Sequence, residues 1–248
     1  MSELELYLDL LSQPCRSVYL FAKVNNIPFQ HHEMKLFKGD HLTERFKKVN
    51  PQHKVPVLID GEFTLVESTA MLRYLAQKYN TPDHWYPSDE QKRTCVDEYL
   101  AWEQTNTRPN GCRVFWEKCM TPAILGHDAE LDKLNHVLAE FIAVMKHVEE
   151  TFLKDRPFLA GDEISLADLV TIVEIMQVVA SGVPVFEQCP KLEAWKQRIE
   201  EALGPEVFKE AHKDILNVKE QLDSLSPEVK EQLKGRLLLF TKGGMWLC

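Results

Sequence analysis

The sequence predicts an α/β N-terminal domain of βαβ–ββα order joined to an all-α C-terminal domain, on three observations. Residues 1–80 alternate strand and helix signals, an aperiodic stretch with prolines follows at 81–88, and no convincing strand signal occurs beyond it. A chain of 248 residues is long enough for two compact units. The expected boundaries are 1–80, a linker at 81–88, a helical domain at 89–222 and a tail at 223–248.

In Leu4-Glu5-Leu6-Tyr7-Leu8-Asp9-Leu10, leucine recurs at every second position, which is strand periodicity. Ser12-Gln13-Pro14 then starts a helix, because serine is a good N-cap and proline is pre-shaped for the first turn. That helix runs to about Val24, where Asn25-Asn26-Ile27-Pro28 breaks it, and Phe29–Met34 forms a second strand. Two β-branched runs, 55–59 and 63–66, flank Asp60-Gly61, a hairpin signal. Leu72, Leu75, Ala76 and Tyr79 then follow the i, i+3, i+4, i+7 pattern of an amphipathic helix.

Beyond the linker, helices are expected at about 89–120, 130–153, 165–180, 190–202 and 205–222. Ser165 and Asp168 form a capping box, with Ile164 and Leu169 placed as its hydrophobic staple. The apolar run 169–186 is interrupted by Glu174, Gln177 and Pro184, so it reads as a buried helix and not a membrane span. For the tail, with Leu237–Phe240, periodicity leaves open whether it packs or hangs free.

Composition excludes several classes. The net charge is −9 and no dense cluster of Lys and Arg could track a phosphate backbone, so nucleic acid is not an expected partner. The N-terminus lacks the basic and apolar regions of a secretory leader. Six cysteines at irregular spacings, with no CxxC pair, read as free thiols in a reducing cytoplasm, not as a disulfide framework or metal site.

Pro56 interrupts an otherwise good strand, where it cannot donate a ladder hydrogen bond. It must therefore sit at an edge, at a strand start or in a cis turn. Together with the helix-start serine and the βαβ–ββα order, this points to a thioredoxin-like fold. The segment Leu4–Arg16 resembles the N-terminal signature of the theta-class glutathione transferases. Val49-Asn50-Pro51, Lys54-Val55-Pro56, Glu67-Ser68, Val96–Trp102 and Ile164–Leu169 extend that resemblance over roughly residues 3–222.

The resemblance implies a glutathione transferase fold, with a glutathione-binding first domain and an electrophile pocket contributed by the helical one. It assigns Ser12 as the catalytic residue, which would donate a hydrogen bond to the glutathione sulfur. A free thiol ionises near pKa 8.5, and lowering that by about two units takes about 2.7 kcal/mol. A hydrogen bond to a charged group supplies about 1.5–3 kcal/mol and a helix N-terminus about 0.3–1 kcal/mol, so no general base is required. The bland alternative is that Ser12 only caps the helix. Tyr7 and Cys15 are rivals: the first lies early in the strand, and the second reads as a packed thiol three residues into the helix.

For the rest of the tripeptide, Glu67 suits the ammonium, and Ser68, at a helix N-terminus, suits the head carboxylate. His41 and Lys54 resemble the contacts to the glycyl end, Val55 and Pro56 flank the cysteinyl part, and Gln13 is a further contact. Leu42 stands where some theta members carry lysine, which implies fewer charges at the glycyl end. Arg108, Trp116 and Arg236 match positions at the electrophile pocket, although a surface arginine and a core tryptophan are equally fair readings of the first two.

The implied activity is conjugation of glutathione to small haloalkanes and epoxides, together with reduction of organic hydroperoxides, by a cytoplasmic homodimer. Glutathione is a co-substrate, and no cofactor or metal is implied. The alternatives are a non-catalytic glutathione-fold binding module, against which Ser12 and the Glu67-Ser68 pair argue, and a thiol–disulfide reductase acting through Cys15.

Overall fold

The structure, a computed structural model, describes the backbone of residues 4–243 and the side chains of residues 4–235. The first unit is built from β1 (Leu4–Leu8), α1 (Gln13–Val24), β2 (Gln30–Glu33), a short α2 (Glu44–Lys47), β3 (Val57–Asp60), β4 (Phe63–Leu65) and α3 (Ser68–Lys78). Its four-stranded sheet has the order β2-β1-β3-β4, with β1 parallel to β2 and antiparallel to β3. A parallel pair needs a crossover, and α1 supplies it. The βαβ–ββα order expected from periodicity is therefore present, and Pro56 precedes β3 in a cis peptide bond with Val55.

The remaining described residues carry no named strand. They form α4 (Glu90–Glu103), α5 (Thr107–Phe115), α6 (Thr121–Leu125), α7 (Leu131–His147), α8 (Leu166–Ala180), α9 (Val185–Gln188), α10 (Pro190–Leu203), α11 (Pro205–Leu216), α12 (Val218–Asp223) and α13 (Pro227–Gly243). The helix expected over 89–120 is broken after Glu103. The Asn106 side-chain amide takes the Trp102 carbonyl at 2.8 Å, and Pro109 has no N–H with which to continue the ladder. Proline is tolerated there only because it falls in the first turn of α5. At its far end α5 widens into a π-helical turn, Trp116–Met120.

Helix α8 is the centre of the molecule: every residue except Val179 is buried. The expected capping box is present. Asp168 accepts from Ser165 N at 2.9 Å, Ser165 Oγ at 3.0 Å, Leu159 N at 2.8 Å and Trp195 Nε1 at 2.8 Å. Gly111 faces α8 and α7, where a Cβ would meet Val178 Cγ2 at 3.4 Å and Phe141 Cε2 at 3.5 Å. Helix α1, buried from Gln13 to Ala22, is packed between the sheet on one side and α8 and α11 on the other.

On α11, His212 is fully buried and its Nδ1 lies 2.8 Å from the Phe208 carbonyl, the geometry of a neutral imidazole donating through Nδ1. Burial, reinforced by the Arg16 charge, pushes this group down to about 3. In the unfolded chain it titrates near 6.5, so unfolding takes up a proton between those values. Its contribution to stability is complete above about pH 6.5 and is lost as pH falls toward 3, at up to ~1.4 kcal/mol per unit. Between about pH 7.5 and about pH 5 the wild type should lose about 2 kcal/mol more than His212→Gln in denaturant unfolding. Equal losses would remove His212 as the cause.

Candidate active site

The site is organised by the turn between β1 and α1. Buried Asp9 folds it: Oδ1 accepts from Leu11 N at 2.9 Å, Oδ2 from Leu36 N at 2.7 Å, and its carbonyl accepts from Ser12 N at 2.9 Å. Arg16, one turn into α1, donates to the carbonyls of Leu10 at 2.8 Å and Leu11 at 3.0 Å. Ser12 is thereby held in extended backbone (φ −86°, ψ 127°) as the N-cap of α1.

The Ser12 hydroxyl caps no backbone N–H of α1. Capping, the bland reading, is not what this side chain does. Its hydroxyl lies within hydrogen-bonding reach of the Cys15 thiol, which burial pushes up to about 12. Cys15 is accordingly a neutral thiol, whose sulfur is only a weak acceptor for the serine proton. A group so buried and so hard to ionise is no nucleophile, and the reductase reading loses its residue. Tyr7 is no better placed. Its hydroxyl lies 3.4 Å from Glu5 Oε2, its ring stacks on His32, and it does not line the cleft.

Ser12 opens onto a cleft between the two units, together with Gln13, His41, Lys54, Val55 and Trp116 from the sequence-predicted set. One wall is polar, with His41, His53 and Lys54; the other is apolar, with Leu11, Phe37, Phe115, Trp116, Met120, Val218 and Leu233. The loop carrying Lys54 and Val55 is shaped by buried Asn50, which donates to the Lys54 carbonyl at 2.8 Å and accepts from Gln52 N at 3.0 Å. Helix α13 packs against α6 and the short helical turn Leu36–Lys38 and sends Leu233 into the cleft.

Pro56, Glu67 and Ser68 are not among the residues lining this cleft. Glu67 holds a positive φ of 73° immediately before α3, and Ser68, the first residue of α3, is buried. A non-glycine residue in that region is uncommon and marks a position set by its surroundings. Arg108 does not line the cleft either. Its Nε lies 3.0 Å from Glu174 Oε1 and 3.5 Å from Glu103 Oε1, within a nearly sealed cluster. Burial pushes both carboxyls up, Glu103 to about 8, against the pull of the Arg108 charge. Arg236 lies outside the residues whose side chains are described.

Sequence reasoning missed His53 and Gln177. His53 places Nδ1 2.9 Å from the His41 carbonyl, and Gln177 reaches the cleft from α8. The available signal for Gln177 was its polarity within an apolar helical run. Of the six expected free thiols, Cys15, Cys95, Cys119 and Cys189 are free, and Cys112 lies in the cleft wall. Among the described residues no group of three or more His, Cys, Asp or Glu could hold a metal ion, and no helix is long and apolar enough to cross a membrane.

Comparison with known proteins assigns the class to which this fold and cleft belong. The family model of the glutathione S-transferase N-terminal domain matches residues 6–83, and that of the C-terminal domain matches residues 124–202. Mouse glutathione S-transferase theta-1 is 54% identical over 217 residues, 88% of this chain and 90% of that protein. The apo structure of human glutathione S-transferase T1-1 superposes with a TM-score of 0.91 at 50% identity, covering 95% of this chain and 98% of that one. Human theta-2, solved in complex with glutathione, gives a TM-score of 0.88 at 43% identity with the same coverage. The chain belongs to the theta class of the glutathione transferases. Enzymes of this family use glutathione itself as co-substrate and transfer it to electrophiles.

Proposed function

We propose that the protein conjugates glutathione to small haloalkanes and epoxides, and reduces organic hydroperoxides, through a thiolate held by Ser12. The observation that carries this reading is the Ser12 hydroxyl, uncommitted to helix capping and open to the cleft at the N-terminus of α1. A sulfur beside that helix end gains from the serine donor and from the partial positive charge of the terminus. The thiolate then attacks carbon while the leaving group departs with the bonding pair. Attack on a peroxide oxygen uses the same nucleophile.

The glycyl end of the tripeptide would meet His41, Lys54 and the neighbouring His53. Gln13 and the Val55–Pro56 backbone would flank the cysteine, and Glu67 with Ser68 would take the γ-glutamyl head. Arg108 is better read as an internal ion-pair partner, and its charge is close enough to influence Glu67. The apolar wall around Phe37, Phe115, Trp116 and Met120 suits small acceptors of low polarity. A cytoplasmic homodimer follows from the family resemblance, and sedimentation reads the assembly directly.

Two measurements on the purified protein test the reading: the ultraviolet titration of bound glutathione, and turnover of a haloalkane, an epoxide and an organic hydroperoxide. The expected result is a thiol pKa about two units below that of free glutathione, with turnover of all three substrates. Tight glutathione binding with an unshifted thiol and no turnover would establish the non-catalytic binding module instead.

A further inference from the structure

Arg16 has no solvent exposure, and its NH2 group donates to the Val173 carbonyl at 2.9 Å and to Gln177 Oε1 at 2.7 Å. A guanidinium has donors only, so the end of the Gln177 amide that faces it must be the carbonyl oxygen. The amide NH2 is therefore turned the other way. It finds no acceptor among the described residues, yet it is not one of the polar atoms sealed in the core without a partner. Gln177 is only 4% exposed and lines the cleft with Ser12, Phe115 and Trp116. The cleft thus contains a second fixed donor, brought by α8 from the helical half that supplies most of the apolar wall.

We propose that Gln177 is a catalytic residue for the acceptor: its side-chain NH2 donates a hydrogen bond to the atom that leaves carbon as glutathione attacks. The inference rests on the conjugation reading above and adds the stabiliser of the second charge. In attack on a haloalkane, a sulfur lone pair forms the S–C bond, the C–halogen bond breaks, and halide departs with its electron pair. In an epoxide the same attack opens a C–O bond, and the alkoxide takes its proton from water. In both cases negative charge moves from sulfur to the leaving atom. Ser12 serves the first position and Gln177 the second. A preorganised donor in a cleft that is apolar on the acceptor side acts most strongly where charge develops. The amide moves no proton, so its contribution is independent of pH.

The test uses the full-length protein and Gln177→Met, which keeps the volume and removes the donor, alongside Gln177→Glu, which keeps an oxygen for Arg16. Substrates are alkyl iodide, bromide and chloride of one carbon skeleton and an epoxide. Loss of one donor to a developing charge should lower kcat/KM about 10- to 100-fold for the epoxide and chloride and least for the iodide. The thiol pKa and the affinity of bound glutathione should be unchanged in Gln177→Met. Gln177→Glu, with a carboxylate facing the departing anion, should be at least as slow at neutral pH. A uniform loss across the leaving groups, a raised thiol pKa, or unchanged rates would each overturn the proposal. An unshifted thiol or absent turnover in the wild type would instead be a failure of the conjugation reading.

Discussion

Ser12→Ala should fold normally and lose about 25-fold in kcat/KM at neutral pH, with the loss shrinking as pH rises. The reason is the position of the thiol equilibrium. If the serine donor supplies most of a two-unit shift, removing it returns the glutathione thiol to near its free pKa of about 8.5. The thiolate is the state being stabilised, so the donor lowers the pKa, and the variant ionises only at higher pH. Near pH 9 the variant's thiol ionises without help and most of the deficit should disappear. The fold should survive because the Ser12 hydroxyl caps no helix N–H, and the turn is held by Asp9 and Arg16 instead. Full activity in Ser12→Ala with the bound thiol pKa unchanged would refute serine activation.

Asp168→Ala should be among the most destabilising single substitutions in the chain, costing about 3–5 kcal/mol. The carboxylate is fully buried and receives four donors from three separated segments: Ser165 through N and Oγ, Leu159 N and Trp195 Nε1. Burial alone raises its pKa, and those four donors act against the rise. Alanine would leave all four without a partner in the core, each with its own desolvation cost. Asp168→Asn keeps one oxygen but sets an NH2 against donors, so it should recover only part of the loss. Denaturant unfolding checks both variants. A loss below about 1 kcal/mol would mean that water replaces the carboxylate.

These two residues illustrate what could be read in advance. The capping box was legible because S-x-x-D is a local pattern, closed within one helical turn. That Asp168 also holds Leu159 and Trp195 was not, because Trp195 is 27 residues away and no periodicity links the two. Ser12 was legible as a helix start. That its hydroxyl caps no helix N–H was not, because this depends on the buried Cys15 beside it and on Asp9 tying down the turn. Arg108 shows the converse. Its position matched an electrophile-pocket residue of the class, yet its Nε is committed to Glu174, 66 residues away.

The sequence by itself determined the element order, the class, the strand-to-helix turn that carries Ser12, the cis-compatible proline and the capping box. Each of these is written in short-range periodicity, turn chemistry or contiguous resemblance. Tertiary structure alone decided that the tail helix sends Leu233 into the cleft and that His53 joins the polar wall. It alone decided which end of Gln177 faces the cleft, through an arginine 161 residues away. The physical reason is common to all of them. Burial, a thiol's ionisation and an amide's orientation are set by neighbours in space, and the chain brings those neighbours together only when it folds.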